Sequence, residues 1–304
     1  MPSPTTLPFT KMHGLGNDFI MIKGENLPSL DLQFLSKLAK TVCDRNFGIG
    51  GDGMIVNAPP TDAAQFDVQF LYFNSDGSQA EMCGNGIRCF ALFLLDEGIL
   101  SQTSFTVETP AGAIKPQINP DRTVRVDMGT PILSADQVPF TPLESQAGYT
   151  ANAQPALMSY EKTGGTLAVY PISMGNPHCI VFDDVAGFKA LVPSIDGPAL
   201  ETHPQFPKKT NVEFTTKIND NTFKVVVWER GCGFTLACGT GACATGVAAI
   251  LSGRTTASTV EVQLPGGSLW IEWAGNPTDS VFMTGPATVA FKGELPTAWV
   301  HEAL

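Results

Sequence analysis

Basic residues are scarce. The chain of 304 residues carries 18 Lys and Arg against 29 Asp and Glu, a formal charge of −11. That balance argues against nucleic acid or an anionic membrane surface as the main partner. Long apolar runs are missing as well, and no stretch approaches the roughly 20 residues a membrane helix needs. The segment Thr5-Thr6-Leu7-Pro8 has no basic run before it and no long apolar run after it, so a secretion signal is not expected. Histidine occurs four times, and Cys-x-x-Cys, His-x-x-x-His and His-Glu-x-x-His do not occur, so no metal centre is expected. No glycine-rich segment ends in Gly-Lys-Ser/Thr, and Gly14-Leu15-Gly16 is too short a pattern to argue for a nucleotide. The seven cysteines are odd in number and thinly spread, which fits a reducing, cytoplasmic compartment better than a disulfide framework.

What is present is a packed-core composition, 43% hydrophobic, and a phrase that occurs twice. Met82-Cys83-Gly84-Asn85-Gly86 and Ala237-Cys238-Gly239-Thr240-Gly241 each follow a strand-like run and open an apolar, helix-like one. The thiols lie 155 positions apart. The same shift carries Gly98 onto Gly253, Pro110 and Gly112 onto Pro265 and Gly267, and Met128 and Pro131 onto Met283 and Pro286. With a few residues of drift, Leu15-Gly16-Asn17 corresponds to Met174-Gly175-Asn176. The order of these matches predicts a duplicated chain of two similar lobes.

Within a lobe the pattern is explicit. Phe66, Val68, Phe70 and Tyr72 alternate as a half-buried strand should, and Asn74-Ser75-Asp76-Gly77 is a turn signal. Ile87, Phe90, Ala91, Leu94 and Leu95 follow at helical spacing, and Gly98 suits the position just past a helix end. Phe223, Val225 and Val227 alternate in the second lobe, and Ala242–Leu251 is apolar nearly all round, the mark of a buried helix. The expected fold class is α+β: two pseudo-symmetric lobes, each a curved, mostly antiparallel sheet around a central helix. The expected boundaries are 1–130 plus 287–304 for the lobe carrying Cys83 and 131–286 for the lobe carrying Cys238. Thr141–Thr166 and Pro193–Pro207, rich in small, polar or proline residues, are expected to be loops.

A cysteine at a helix start faces unpaired backbone N–H groups and the positive end of the helix dipole. Both favour thiolate over thiol, so a lowered thiol pKa is expected at Cys83 and Cys238. Two such helix ends could also bind a carboxylate through backbone amides. Thiolate, thiol and an anion cradle suit removal of a proton beside a carboxylate and its return on the other face. The plainer reading of Cys-Gly-x-Gly is a tight turn with a packed cysteine. It is the expectation for Cys43, Cys89, Cys179 and Cys243, whereas two copies at equivalent points favour function for Cys83 and Cys238. Paired thiols also permit a redox reading, which lacks the short Cys-x-x-Cys spacing, and an inactivating Cys83–Cys238 disulfide.

The chain resembles diaminopimelate epimerase. The resemblance runs through Lys11-Met12-His13-Gly14-Leu15-Gly16-Asn17-Asp18-Phe19, Phe73-Asn74-Ser75-Asp76-Gly77-Ser78, Cys83-Gly84-Asn85-Gly86-Ile87-Arg88-Cys89, Met174-Gly175-Asn176-Pro177-His178, and Trp228-Glu229-Arg230-Gly231 on to Cys238-Gly239-Thr240-Gly241-Ala242-Cys243. It implies epimerisation of LL- to meso-diaminopimelate without pyridoxal phosphate or any other cofactor, in the route to lysine and bacterial peptidoglycan. It implies Cys83 and Cys238 as the two acid/base residues. Asn17, Asn74, Asn176, Asn211, Glu229 and Arg230 would hold substrate, with Arg230 suited to the distal carboxylate. Gly84, Asn85, Gly239 and Thr240 would supply helix-start N–H groups, and His178 and Glu229 would tune the thiols. A cytoplasmic homodimer acting on a small molecule completes the expectation. Two positions depart from the family pattern: Gly53, where many members have Gln, and Phe234, where Glu or a small residue is common. The alternatives are a proline or hydroxyproline racemase-like enzyme and a non-catalytic relative of the fold.

Overall fold

The structure, a computed structural model, describes residues 6–303. It divides into two compact units, one running up to Val126 and resuming at Gly285, the other spanning Asp127–Thr284.

The first unit contains β1 (Thr6–Gly14), β2 (Asn17–Lys23), α1 (Leu32–Cys43), β3 (Gly53–Ala58), β4 (Val68–Asn74), β5 (Gln79–Ala80), α2 (Gly84–Asp96), β6 (Val107–Thr109), β7 (Gly112–Ile114), β8 (Gln117–Ile118) and β9 (Val124–Asp127). The second contains β10 (Ala156–Tyr160), β11 (Gly165–Ser173), β12 (Pro177–Phe182), α3 (Pro193–Glu201), β13 (Asn211–Asn219), β14 (Thr222–Glu229), β15 (Gly233–Phe234), α4 (Gly239–Leu251), β16 (Thr259–Leu264), β17 (Gly267–Glu272) and β18 (Phe282–Gly285). The chain then returns to the first unit as β19 (Thr288–Pro296) and α5 (Thr297–Ala303).

The two units share one connectivity. In the first, β1 and β2 are antiparallel, β2 and β3 parallel, β3 and β4 antiparallel, β4 and β6 parallel, and β6 and β7 antiparallel. In the second, the same sequence of pairings links β11, β12, β13, β14, β16 and β17. Each parallel step needs a crossover. The first is made by α1 or α3, the second by α2 or α4. The remaining flank of β1 is taken by β19, and that of β11 by β10, both antiparallel.

Helix α2 is buried from Gly84 to Leu94, and α4 from Gly241 to Ala249. Both end the same way. Gly98 has φ +66° and Gly253 φ +69°, each just past the last helical residues. Gly98 N–H donates to Leu95 O at 3.1 Å and Ile99 N–H to Leu94 O at 2.9 Å. Gly253 N–H donates to Ile250 O at 3.1 Å and Arg254 N–H to Ala249 O at 3.0 Å. These are the paired bonds of a Schellman cap, which satisfies carbonyls a buried helix cannot leave to water.

Three expectations change. Strand β4 starts at Val68, leaving Phe66 outside it, and is buried on both faces rather than one. Phe70 meets Phe90 of α2 edge-on at 5.1 Å, while Leu71 and Phe73 pack with Phe34, Leu35 and Leu38 of α1. The segment expected as loop before Thr166 contains β10, because Ala156 and Met158 alternate into a core beside β11. The proline-rich segment contains helix α3. Pro193 stands at its first position, where a missing N–H costs nothing, and the buried carboxylate of Asp196 accepts from Val192 N–H, from Tyr160 Oη at 2.6 Å and from Lys162 Nζ at 2.6 Å.

Adding a side chain at Gly98 or Gly253 meets no atom within 4 Å, so only the left-handed backbone opposes it. Gly98→Ala and Gly253→Ala are each expected to lower stability by about 1–2 kcal/mol, read as an earlier urea midpoint at unchanged slope. No loss in either variant contradicts the capping role.

Candidate active site

In the first unit, Cys83 is the residue before α2, with φ −145°, and its Sγ lies 3.6 Å from Asn17 Oδ1. Asn17 Nδ2 donates to Asp52 Oδ2 at 2.6 Å. A carboxylate only accepts, so this bond fixes the amide with its oxygen toward Cys83 and toward Asn85 Nδ2 at 3.1 Å. The thiol therefore makes this contact as an S–H donor. Asp52 is held in turn by Arg45 Nη2 at 2.8 Å, which also reaches Asp18 Oδ1 at 2.7 Å. Lys11 Nζ meets Asp18 Oδ2 at 2.7 Å and donates to Gly50 O. Burial would raise the Asp18 carboxyl, but Arg45 and Lys11 outweigh it and push it down to about 2. Buried Arg88 donates from Nη1 to Gly84 O at 3.1 Å and from Nη2 to Asn85 Oδ1 at 2.9 Å. Gly14 makes room for that guanidinium, since a Cβ there would stand 3.0 Å from Nη2. Asn74 Nδ2 donates to Ser78 Oγ at 2.9 Å in the turn after β4.

In the second unit, Cys238 is the residue before α4, and its Sγ accepts from Gly241 N–H at 3.3 Å and lies 3.6 Å from Thr240 Oγ1. Its thiol is pushed well up, against the expectation of a lowered value. Burial contributes most, then the carboxylates of Glu229 and Glu213, while Thr240 and the Gly241 N–H pull only partly the other way. The local helix-start effect is present and is outweighed by what surrounds it. His178 from β12 and Glu213 from β13 are fully buried, with Nδ1 and Oε1 2.7 Å apart. His178 Nε2 lies 3.0 Å from Asn176 Oδ1. Ligand-type atoms of His178, Glu213 and Cys238 fall within 4.8 Å of one another, the one such convergence found among the described residues. The His178–Glu213 hydrogen bond already accounts for much of that spacing.

Asn211 spends its amide inside the protein, donating to Pro177 O at 2.9 Å and accepting Arg230 N–H at 2.9 Å. It thus fixes the backbone that presents the exposed Arg230, whose Nη1 donates to Lys208 O at 3.1 Å. Glu229 accepts from Thr235 Oγ1. The exposed ring of Phe234 stands edge-on to Trp228 at 5.0 Å, one pair of the β14–β15 ladder, so this departure adds an aromatic contact. Gly53 also has a local reason: a Cβ there would lie 2.4 Å from Tyr72 Cε2 and 2.6 Å from Phe73 O. The Tyr72 ring occupies the space a side chain at 53 would need.

The predicted residues therefore gather by unit. Cys83, Gly84, Asn85, Asn17 and Asn74 belong to the first; Cys238, Gly239, Thr240, Asn176, His178, Asn211, Glu229 and Arg230 belong to the second. Asp52, Arg45 and Glu213, which no motif in the sequence marks, join them. One signal for Glu213 was available: two residues after Asn211 on a strand, it shares that residue's face.

Residues 9–134 and 170–290 match the model of the family described as diaminopimelate epimerase. Diaminopimelate epimerase 1 of Nostoc sp. is 48% identical over 290 residues, covering 94% of this chain and 99% of that protein. The diaminopimelate epimerase of Desulfitobacterium hafniense is 47% identical over 289 residues, covering 94% and 96%. Among solved structures, a hydroxyproline epimerase from Agrobacterium vitis aligns with TM-score 0.64 at 15% identity, covering 97% of this chain and 94% of that one. A PhzF-family phenazine biosynthesis protein from Bacillus anthracis aligns with TM-score 0.63 at 14% identity, covering 95% and 99%. At those identities the likeness to the solved structures is one of fold.

Cys232 is exposed and Cys83 half-buried, while Cys43, Cys89, Cys179, Cys238 and Cys243 are buried. Burial also pushes the Cys43 and Cys89 thiols up to about 12. Brief alkylation of the native protein near pH 7, followed by peptide mapping, is expected to mark Cys232 and Cys83 and to spare the rest. Early labelling of Cys89 or Cys179 would contradict this arrangement.

Proposed function

Because the chain belongs to the diaminopimelate epimerase family, we propose that it interconverts LL- and meso-diaminopimelate by a two-base thiol mechanism that needs no pyridoxal phosphate. The observation that carries the reading is the pair of thiols at equivalent points of two like-connected units, each set before a buried helix whose first turn is Gly84-Asn85-Gly86 or Gly239-Thr240-Gly241. In the forward step, a thiolate on one cysteine takes the α-proton, breaking the C–H bond and forming S–H. The thiol of the other gives its proton to the opposite face of the same carbon and becomes a thiolate. Charge and protons balance, and the exchanged protonation states suit the reverse reaction. Burial and two neighbouring carboxylates favour the protonated form of Cys238, which supports Cys238 as donor when Cys83 is the base.

The carbanion formed in between needs its carboxylate stabilised. The N–H groups of Gly84, Asn85, Gly239 and Thr240, which have no acceptor within their own helices, are suited to it. We assign Arg230, whose backbone Asn211 anchors, to the distal carboxylate, and Asn17, Asn74, Asn176, Asn211 and Glu229 to the amino groups and remaining carboxylate oxygens. His178 and Glu229 are assigned to tuning the thiols. None of this requires a metal or an organic cofactor.

The reading extends to a cytoplasmic homodimer acting on a free amino acid. Support for a partner copy is the edge strand β19, which exposes Val289 and Phe291. Among the described residues no helix is long and apolar enough to cross a membrane.

Replacing either thiol should remove turnover. Cys83→Ala and Cys238→Ala are each expected to lose at least about 10³-fold in kcat, the scale of general acid–base assistance, while keeping the native circular dichroism. In deuterium oxide the wild type should wash deuterium into the α-carbon of LL-diaminopimelate and leave proline untouched. Full activity in either variant sinks the two-base mechanism, and exchange into proline alone sinks the substrate. Sedimentation equilibrium should return twice the chain mass, and a monomer at micromolar concentration would refute the dimer.

A further inference from the structure

Glu213 lies outside the set of residues assigned above, yet it touches the group that matters. Strands β12 and β13 run parallel, with His178 opposite Asn211 and Ile180 opposite Glu213, so His178 and Glu213 project from one face toward the start of α4. One carboxylate oxygen, Oε1, is bonded to His178 Nδ1 at 2.7 Å. The other, Oε2, is buried without a hydrogen-bond partner. A buried carboxylate oxygen left bare is costly and rarely kept without a use.

The opposite wall explains how the carboxylate gets so near. Gly241 sits in the first turn of α4, and a Cβ there would lie 2.6 Å from Glu213 Oε1 and 3.2 Å from Cys238 Sγ. The carboxylate and the thiol thus converge on the same side of Gly241, and glycine admits both. Among the described residues, the charged and titratable groups that face Cys238 include Glu213 from β13, Glu229 from β14 and His178 from β12, while the first turn of α4 contributes the Thr240 hydroxyl and the Gly241 N–H.

We propose that Glu213 is a positioning residue that keeps Cys238 in its S–H form between turnovers, through the carboxylate packed beside the thiol, while Oε1 fixes the ring of His178. When Cys238 gives up its proton, the new thiolate lies beside a fixed negative charge. That proximity drives its reprotonation, by the next substrate in the reverse direction or by solvent. His178, tied to Oε1, is withheld from Cys238 as a base through Nδ1. The catalytic part of this inference rests on the two-thiol reading; the part concerning the state of Cys238 does not.

The test uses the full-length protein with Glu213→Gln and Glu213→Asp. Gln keeps an oxygen to accept from His178 Nδ1 and removes the charge, while Asp keeps the charge on a shorter arm. The first readout is the rate of Cys238 alkylation by iodoacetamide against pH, followed by peptide mass. Glu213→Gln is expected to move the profile at least about one unit lower, which is about a tenfold faster reaction at pH 7. Glu213→Asp is expected to stay within about threefold of wild type. The second readout is α-proton exchange, where Glu213→Gln should lower kcat about tenfold or more at little change in KM and shift the pH profile. An unmoved alkylation profile in Glu213→Gln overturns the proposal. If that variant does not fold, fast alkylation in a folded Glu213→Asp overturns it as well. Wild type that exchanges no α-proton, with alkylation in the variants behaving as described, would overturn the epimerase reading and leave the hold on Cys238 standing.

Discussion

A helix buried on every side can begin in few places, and the position of both thiols follows from that constraint. Helices α2 and α4 are enclosed along most of their length, and each is closed at its far end by a glycine in the left-handed conformation. With the far end fixed and the flanks packed, the first turn is fixed too, and the residue before it is a cysteine in both cases. The glycines of that turn are then spacers of atomic dimension. Gly86 leaves room for Ile55 and Phe19, and Gly241 for the carboxylate of Glu213. The second glycine of one turn is therefore met by apolar side chains and that of the other by a charge, although the phrases that encode them are nearly the same.

The two thiols accordingly have different surroundings. Around Cys83 the order runs outward through neutral and charged partners in turn: Asn17, Asp52, Arg45, Asp18, Lys11. Each link fixes the donor or acceptor sense of the next, so the amide facing the thiol has no freedom to turn over. Around Cys238 the nearest charges are negative, and burial strengthens their effect. A symmetric pair of bases would leave the resting proton undefined, whereas these surroundings do not treat the two sites alike.

The parts of the fold legible in the sequence are those ruled by neighbours along the chain. The period of α2, the apolar circumference of α4, the capping glycines 98 and 253 and the turn at Asn74–Gly77 all follow from local rules, and all are present. The α+β class and the central helix of each unit followed from the same signals. Helix α3 was hidden because prolines are punctuation in most contexts, whereas here Pro193 takes the first helical position, Pro198 lies inside the helix and the buried Asp196 anchors the first turn. Strand β10 was hidden because Ala156 and Met158 give a weak alternation that β11 completes. At the site, the thiols and most polar residues were marked by motif. Glu213 and Asp52 were not, since what distinguishes them is a partner 35 positions away, His178 for the one and Asn17 for the other. The Cys238 shift runs opposite to the sequence expectation for the same reason: helix-start N–H groups are visible in sequence, and burial beside two carboxylates is not.

The pairing of β1 with β19 bears on how the molecule is made. Thr6 lies opposite Pro296 and His13 opposite Thr288, so β1 waits for a partner strand made only after the whole second unit. The second unit, by contrast, is one continuous stretch, Asp127–Thr284. Synthesis therefore inverts the order of the sequence: the later unit has all its strands while the earlier one still shows an open edge. During that interval β1 offers unpaired N–H and C=O groups to any strand nearby, a window for mispairing that closes only once β19 has been made.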